Sequence, residues 1–301
     1  GSTMTIQPDG SVLASGITPP DDQHILTLET DATDLRLVAL HAMVDASLPH
    51  GRVGRAQNGN AILDSIEVEA ISKIDPTQTR KVKLDWAWAD VEQPDEDFRV
   101  TNALTAKDGR VWAVDAHNQP GGRVALFAST EPFGFAGGTR LRITLGYESP
   151  YKEHSFGRVA ISLAKVSESF MGKLPDTTSA WYIAGPWPTE VAENPYEVIR
   201  GPESSTIFNP NEKWGEYSWR YGPGIVEAEQ IGLAQGAGSE FLSRQTFSPT
   251  ARELELSLGS DDGIVVYVNG VKVHEARIDR AIGADQERVK IPLRAGENTL
   301  V

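Results

Sequence analysis

Leu141, Ile143 and Leu145 alternate with Arg140, Arg142 and Thr144, and Ile66, Val68 and Ala70 alternate with Glu67 and Glu69. A two-residue apolar period suits a strand with one buried and one wet face; a helix repeats its apolar stripe every three to four residues. The same alternation, or a short β-branched run, recurs at 11–16, 24–30, 35–44, 61–71, 80–89, 122–129, 139–147 and 157–166. It returns at 179–187, 224–233, 240–247, 252–259, 263–270, 271–278, 288–293 and 298–301. The 28 glycines and 18 prolines fall between these runs and cut the chain into pieces too short for long helices. The predicted fold class is therefore all-β, as two antiparallel β-sandwich domains. One modest helix is expected around Pro195 to Arg200.

With 301 residues the chain has room for two domains. Residues 166–179 mix polar, Gly and Pro residues, and the boundary is placed near 172. The expected division is 1–8 as a tag remnant and flexible start, 9–171 as the first sandwich, and 172–301 as the second. Gly1-Ser2-Thr3-Met4 reads as a cloning remnant, so an export signal could have preceded it. Residues 293–301 form a strand, a Gly turn and the start of another strand. The second sandwich is expected to continue beyond that point.

A net charge of -14 disfavours nucleic acid and anionic membrane as partners, since both repel an acidic surface. No apolar run is long enough for a membrane helix. Zero cysteines excludes disulfides, thiolate metal sites and cysteine nucleophiles. HExxH, GxSxG, the phosphate-binding GxxxxGK[ST] and the dinucleotide glycine pattern are all missing. The six histidines are scattered without metal-ligand spacing. Catalytic residues: none are assigned.

Candidate ligand contacts come from aromatic and loop residues. Trp86 and Trp88 stand two apart in KLDWAWAD, so on a strand they share a face. Trp112 follows the DGR turn at 108–110. An indole can be core, or it can stack on the apolar face of a sugar. Arg52, Arg55 and Asn60 lie in GRVGRAQNGN, either as a turn or as donors aimed at hydroxyls or carboxylates. Asp90, Glu92, Asp95, Glu96 and Asp97 form either a solvated acidic loop or a structural calcium site; no other cofactor is expected. In SDDGIVVYVNG (260–270), Asp261 and Asp262 mark a turn launching a strand, and Asn269-Gly270 a type I′ hairpin turn.

DGSVLASG (9–16), LRLVAL (35–40), DASLPHGRVGRAQNGNAILDSIEV (45–68) and DGRVWAVD (108–115) resemble the galactose-binding-like domains of large exported planctomycete proteins. In that family such domains accompany a cytochrome-c-type domain. Asn58-Gly59-Asn60 matches the usual tetrapeptide, while Ala61 stands where an aromatic is common and Val53 replaces a proline. WYIAGPWP (181–188), GPE (201–203), SDDGIVVYVNGVKV (260–273) and LRAGENTLV (293–301) are similar to a companion jelly roll, with Trp187 in place of a phenylalanine. Sugar-binding-like sandwich domains of family 2 glycoside hydrolases carry a similar hairpin.

The resemblance implies jelly-roll sandwiches, export to the periplasm or exterior, and glycan contact or scaffolding beside other domains of the same protein. The expected function is non-catalytic polysaccharide binding through Trp86, Trp88, Trp112, Arg52, Arg55 and Asn60. The alternatives are a module that docks neighbouring domains without binding sugar, and a polysaccharide lyase or hydrolase whose site is assembled from distant residues.

Overall fold

Strand alternation becomes sheet register in the computed structural model, which describes residues 1–105, 108–190, 193–233 and 238–301. The chain divides into two compact units, Gly1–Thr177 and Thr178–Val301. Both are antiparallel β structures.

The first unit contains β1 (Ser2–Ile6), β2 (Val12–Gly16), β3 (Gln23–Thr30), β4 (Leu35–Ala42), β5 (Ile62–Leu63) and β6 (Ser65–Ser72). It continues with β7 (Thr79–Val82), β8 (Trp86–Ala89), β9 (Trp112–Ala113), β10 (Arg123–Phe133), β11 (Thr139–Gly146), β12 (Arg158–Lys165) and a single-turn helix α1 (Glu168–Met171). One sheet runs β1-β2-β12-β4-β10-β8 and the other β3-β11-β6-β7. In the second, Ile143 lies between Leu26 and Val68, and all three are buried. One residue earlier, Arg142 points to solvent and pairs with Glu69 at 3.1 Å. The six-stranded sheet supplies the facing half of the core through Val38, Leu40, Ala87, Ala125, Phe127 and Val159. Residues 1–8 are not a loose start: β1 pairs with β2 over five residues, from Ser2↔Gly16 to Ile6↔Val12.

At the boundary lies the two-residue β13 (Thr177–Thr178), and the second unit contains β14 (Tyr182–Pro188), β15 (Lys213–Trp214), β16 (Tyr217–Ser218), β17 (Arg220–Tyr221) and β18 (Gly238–Ser248). Then come β19 (Arg252–Leu258), β20 (Ile264–Val268), β21 (Val271–Ala276), β22 (Glu287–Leu293) and β23 (Gly296–Leu300). The main sheet runs β17-β14-β18-β23-β20-β21, with β13 also on β18, while β19 and β22 pair alone. Trp187, Phe241, Tyr217, Trp214, Trp219, Phe208 and Tyr182 form an aromatic cluster on the irregular side. A separate aliphatic core joins Val268, Val289, Ile291 and Leu293.

Two sequence expectations fail in this unit. Residues 224–233 are not a strand: Ile225 N–H closes onto Gly222 O, Ala228 has φ 63°, and Val226 is exposed. The apolar residues there meet no sheet, so nothing rewards extension. Residues Pro195 to Arg200 are not helical either. The buried Glu203 carboxylate accepts from the Arg200 and Gly201 amides at 2.7 and 2.8 Å, which fixes the chain into a turn before any helix forms.

The motifs at 201–203, 260–270 and 293–301 brace one another. Asn269 and Gly270 have φ of 52° and 76°, the two positive values a type I′ turn requires. A Cβ on Gly270 would approach the Ser204 carbonyl to 3.1 Å, so the hairpin seats on the turn after Gly201. Asn269 Nδ2 donates to Asn298 Oδ1 at 3.0 Å, and its own Oδ1 accepts from Thr299 N–H. Val266 and Val268 share the buried face of β20, with Val265 and Tyr267 opposite. Asp262 Oδ1 accepts from the Arg280 amide at 3.0 Å, and Asp261 lies exposed in the bend. These residues hold the frame together.

Candidate functional site

Four of the six residues expected to touch ligand are enclosed, and each has a structural task. Trp112 is 0% exposed; its indole packs 5.9 Å from Phe156 and its Nε1 donates to Val91 O at 2.9 Å. An indole without an accessible face offers nothing for a sugar to stack on, so Trp112 belongs to the core. Arg55 is buried and donates to Gly16 O and Ile17 O, both at 3.0 Å, and to Ser2 Oγ. It fastens the first two strands. Asn60 is buried between Ala116 N–H, which it accepts at 2.8 Å, and Gln93 Oε1, to which it donates. Its amide stitches two loops.

Arg52 is half-buried, with its aliphatic stem against Gly59. Gly59 has φ 78°, and a Cβ there would come within 2.6 Å of Arg52 Cγ and 2.9 Å of Pro49 O. This close approach is the physical reason for glycine in the Asn58-Gly59-Asn60 turn.

Trp86 and Trp88 do share a face, the outer face of the six-stranded sheet. Along β10 their partners are Ala128 and Leu126, whereas the residues between, Ala87 and Phe127, point into the core. The two indoles then part company. Trp86 is 1% exposed and donates from Nε1 to Pro175 O at 2.9 Å, under the segment that follows β12. Trp88 is 40% exposed. The register extends its row through Leu126, Ala39 and Ser162, and the next row is Val124, His41 and Ala160. His41 Nε2 lies 3.1 Å from Ser162 Oγ across the strands.

The outcome is one exposed indole beside Leu126, with Ala39 and His41 two strands away and Ser162 three. A flat apolar ring face fits against Trp88, and hydroxyls can exchange hydrogen bonds with His41 and Ser162. Sequence reasoning missed His41, Ser162, Ala39 and Ala160. The signal was present in the small and polar phase of LRLVALHA and RVAISLAK, which reads as solvent-facing until the neighbouring strands are known.

A shallow cleft of about 360 Å³ lies at one end of the four-stranded sheet, lined by Asp21, Asp22, Gln23, Asp64, Gly146, Tyr147 and Glu148. Beneath it His24 is buried, edge-on to Tyr147 at 4.7 Å and 3.3 Å from Asp22. Burial holds the His24 imidazole below its ordinary value, with Asp22 opposing. Burial likewise pushes the Tyr147 phenol well up. Folding therefore disfavours protonated His24. Stability is complete above the unfolded histidine value of about 6.5 and declines as pH falls below it, by at most about 1.4 kcal/mol per pH unit for one group. Melting curves from pH 7.5 to 5 should show this decline, and His24→Gln should flatten it. An unchanged slope in the variant would assign the decline elsewhere.

Among the described residues, no group of three or more His, Cys, Asp or Glu side chains is arranged to hold a metal ion. In the 90–97 stretch, Glu92 accepts from the Val100 amide at 2.7 Å and from Arg99. Glu96 accepts from the Tyr151 hydroxyl at 2.8 Å, and Asp97 Oδ1 from Asn102. Among the described residues no helix is long and apolar enough to cross a membrane. No protein-family model, curated protein or solved structure matches the chain, so its function is argued from its own residues.

Proposed function

We propose that the chain is a non-catalytic, polysaccharide-binding portion of a larger exported bacterial protein, and that Trp88 is the principal sugar contact of its first unit. The observation that carries this reading is the 40% exposure of Trp88 on the outer sheet face, with the His41–Ser162 pair farther across the same face on β4 and β12. An indole combines a large apolar face with a polar N–H, and tryptophan is enriched where another molecule covers the surface. The likeness of residues 9–166 to galactose-binding-like domains supports the same reading and is the sole support for export.

Native affinity gels cast with a panel of polysaccharides test it. Retardation by at least one glycan is expected, and Trp88→Ala should weaken the affinity about tenfold. The same change should cost less than about 1 kcal/mol of stability, because Trp88 is not part of the core. Absence of retardation on every glycan, or retardation that survives Trp88→Ala unchanged, would overturn the proposal. The first of these outcomes favours a domain-docking module. Release of oligosaccharide products by the chain alone would instead establish an enzyme.

A further inference from the structure

The second unit is an unbalanced sandwich. At about 4.8 Å per strand, β19 and β22 cover about 10 Å of a main sheet whose six-strand path spans roughly 29 Å. Ile183 pairs with Leu242, and by alternation Leu242, Arg244, Leu300 and Val268 share one face. Val268 and Leu300 belong to the core under β22, whereas Ile183 and Leu242 remain half-buried. Residues 223–233 reach this face through Glu227, which pairs with Arg244.

Leu254, Leu256 and Leu258 on β19 also stay half-buried, although Ile291 and Val289, opposite the first two on β22, are buried; Leu258 lies opposite the half-buried Glu287. Among the described residues, β22 is the single strand paired with β19, so the other edge from Glu253 to Leu258 has no strand paired to it.

We propose that this edge is a docking site for an extended partner strand in which aliphatic residues alternate with lysine or arginine. Strand addition to an exposed edge takes its affinity from main-chain hydrogen bonds and its specificity from alternate side chains. The inward residues of the added strand would lie beside Leu254, Leu256 and Leu258. Its outward residues would face Glu253 and Glu255, which point to solvent. Those glutamates also decide against a second copy of the chain: pairing β19 with β19 sets carboxylates against carboxylates, which is destabilising. Glu255 already meets one arginine in this way, Arg288 on β22 at 2.9 Å.

The probes are three labelled heptapeptides added to the whole chain. They are alternating Val-Lys (VKVKVKV), alternating Val-Glu (VEVEVEV), and a non-alternating isomer of the first (VVKKVVK). Binding of the alternating lysine peptide is expected about tenfold tighter than that of either other peptide. Slowed amide exchange should be confined to 252–258. Glu253→Lys with Glu255→Lys, both at exposed positions, should transfer the preference to the glutamate peptide. Equal binding of the isomer, protection elsewhere, or a preference unmoved by the double variant would overturn the proposal.

Discussion

Trp112→Ala is expected to lower the unfolding free energy of the first unit by about 3–5 kcal/mol, the usual cost of emptying a large buried aromatic site. The indole is fully enclosed, and its loss also leaves Val91 O without the Nε1 donor 2.9 Å away. Denaturant titration followed through tryptophan fluorescence should show an earlier midpoint with little change in slope. Trp112→Phe supplies the decisive comparison. It keeps most of the packing, and polysaccharide retardation should persist in it while Trp88→Ala loses it. If Trp112→Phe abolished retardation at full stability, the indole would have to be a ligand contact after all.

Asn298→Ala is the second large effect, expected at about 3 kcal/mol on the second unit. The side chain is 1% exposed. Its amide donates to Arg294 O at 2.9 Å and Gly296 O at 3.0 Å, and its oxygen accepts from Arg294 N–H and Asn269 Nδ2, both at 3.0 Å. Removing it takes a partner from Arg294 N–H, Arg294 O and the buried Gly296 O at once, and an enclosed group left unpaired costs about 1–3 kcal/mol before relaxation. Asn269→Ala should cost less, since Thr299 N–H is the backbone donor it leaves behind. The double variant should fall short of the sum by about 1 kcal/mol, as expected of two residues sharing a hydrogen bond. Strict additivity would mean that the two asparagines act independently.

Strand identity was legible because a period of two depends on local chemistry alone: Arg142 outward and Ile143 inward follow from the residues themselves. The type I′ turn at Asn269-Gly270 was legible for the same reason, since few residues tolerate positive φ. The fate of Trp86 and Trp88 was not. Both lie on the face the spacing predicts, but exposure depends on Pro175, nearly ninety residues away, roofing one and leaving the other. Arg55 and Asn60 misled similarly: polar residues in a glycine-rich loop read as exposed, and only the fold shows that backbone carbonyls and amides surround them. The failure at 224–233 has the opposite cause. A β-like composition makes a strand only where a neighbouring edge receives it.

The pairing of β4 with β12 and of β3 with β11 sets a clock on the first unit. Ile161 meets Leu40 and Leu141 meets Leu28, so each contact joins residues more than a hundred positions apart. Closing such long loops before any reward arrives makes folding slow compared with that of chains built from local contacts. At roughly 5–20 residues per second of synthesis, β3 waits on the order of 6–23 s for β11, and β4 on the order of 4–17 s for β10, its first partner to be made. During that interval their apolar phases, Leu26 and Leu28, Val38 and Leu40, have no sheet to join. A nascent chain of this topology therefore leaves these apolar phases uncovered, and open to association with other chains, until the later strands arrive.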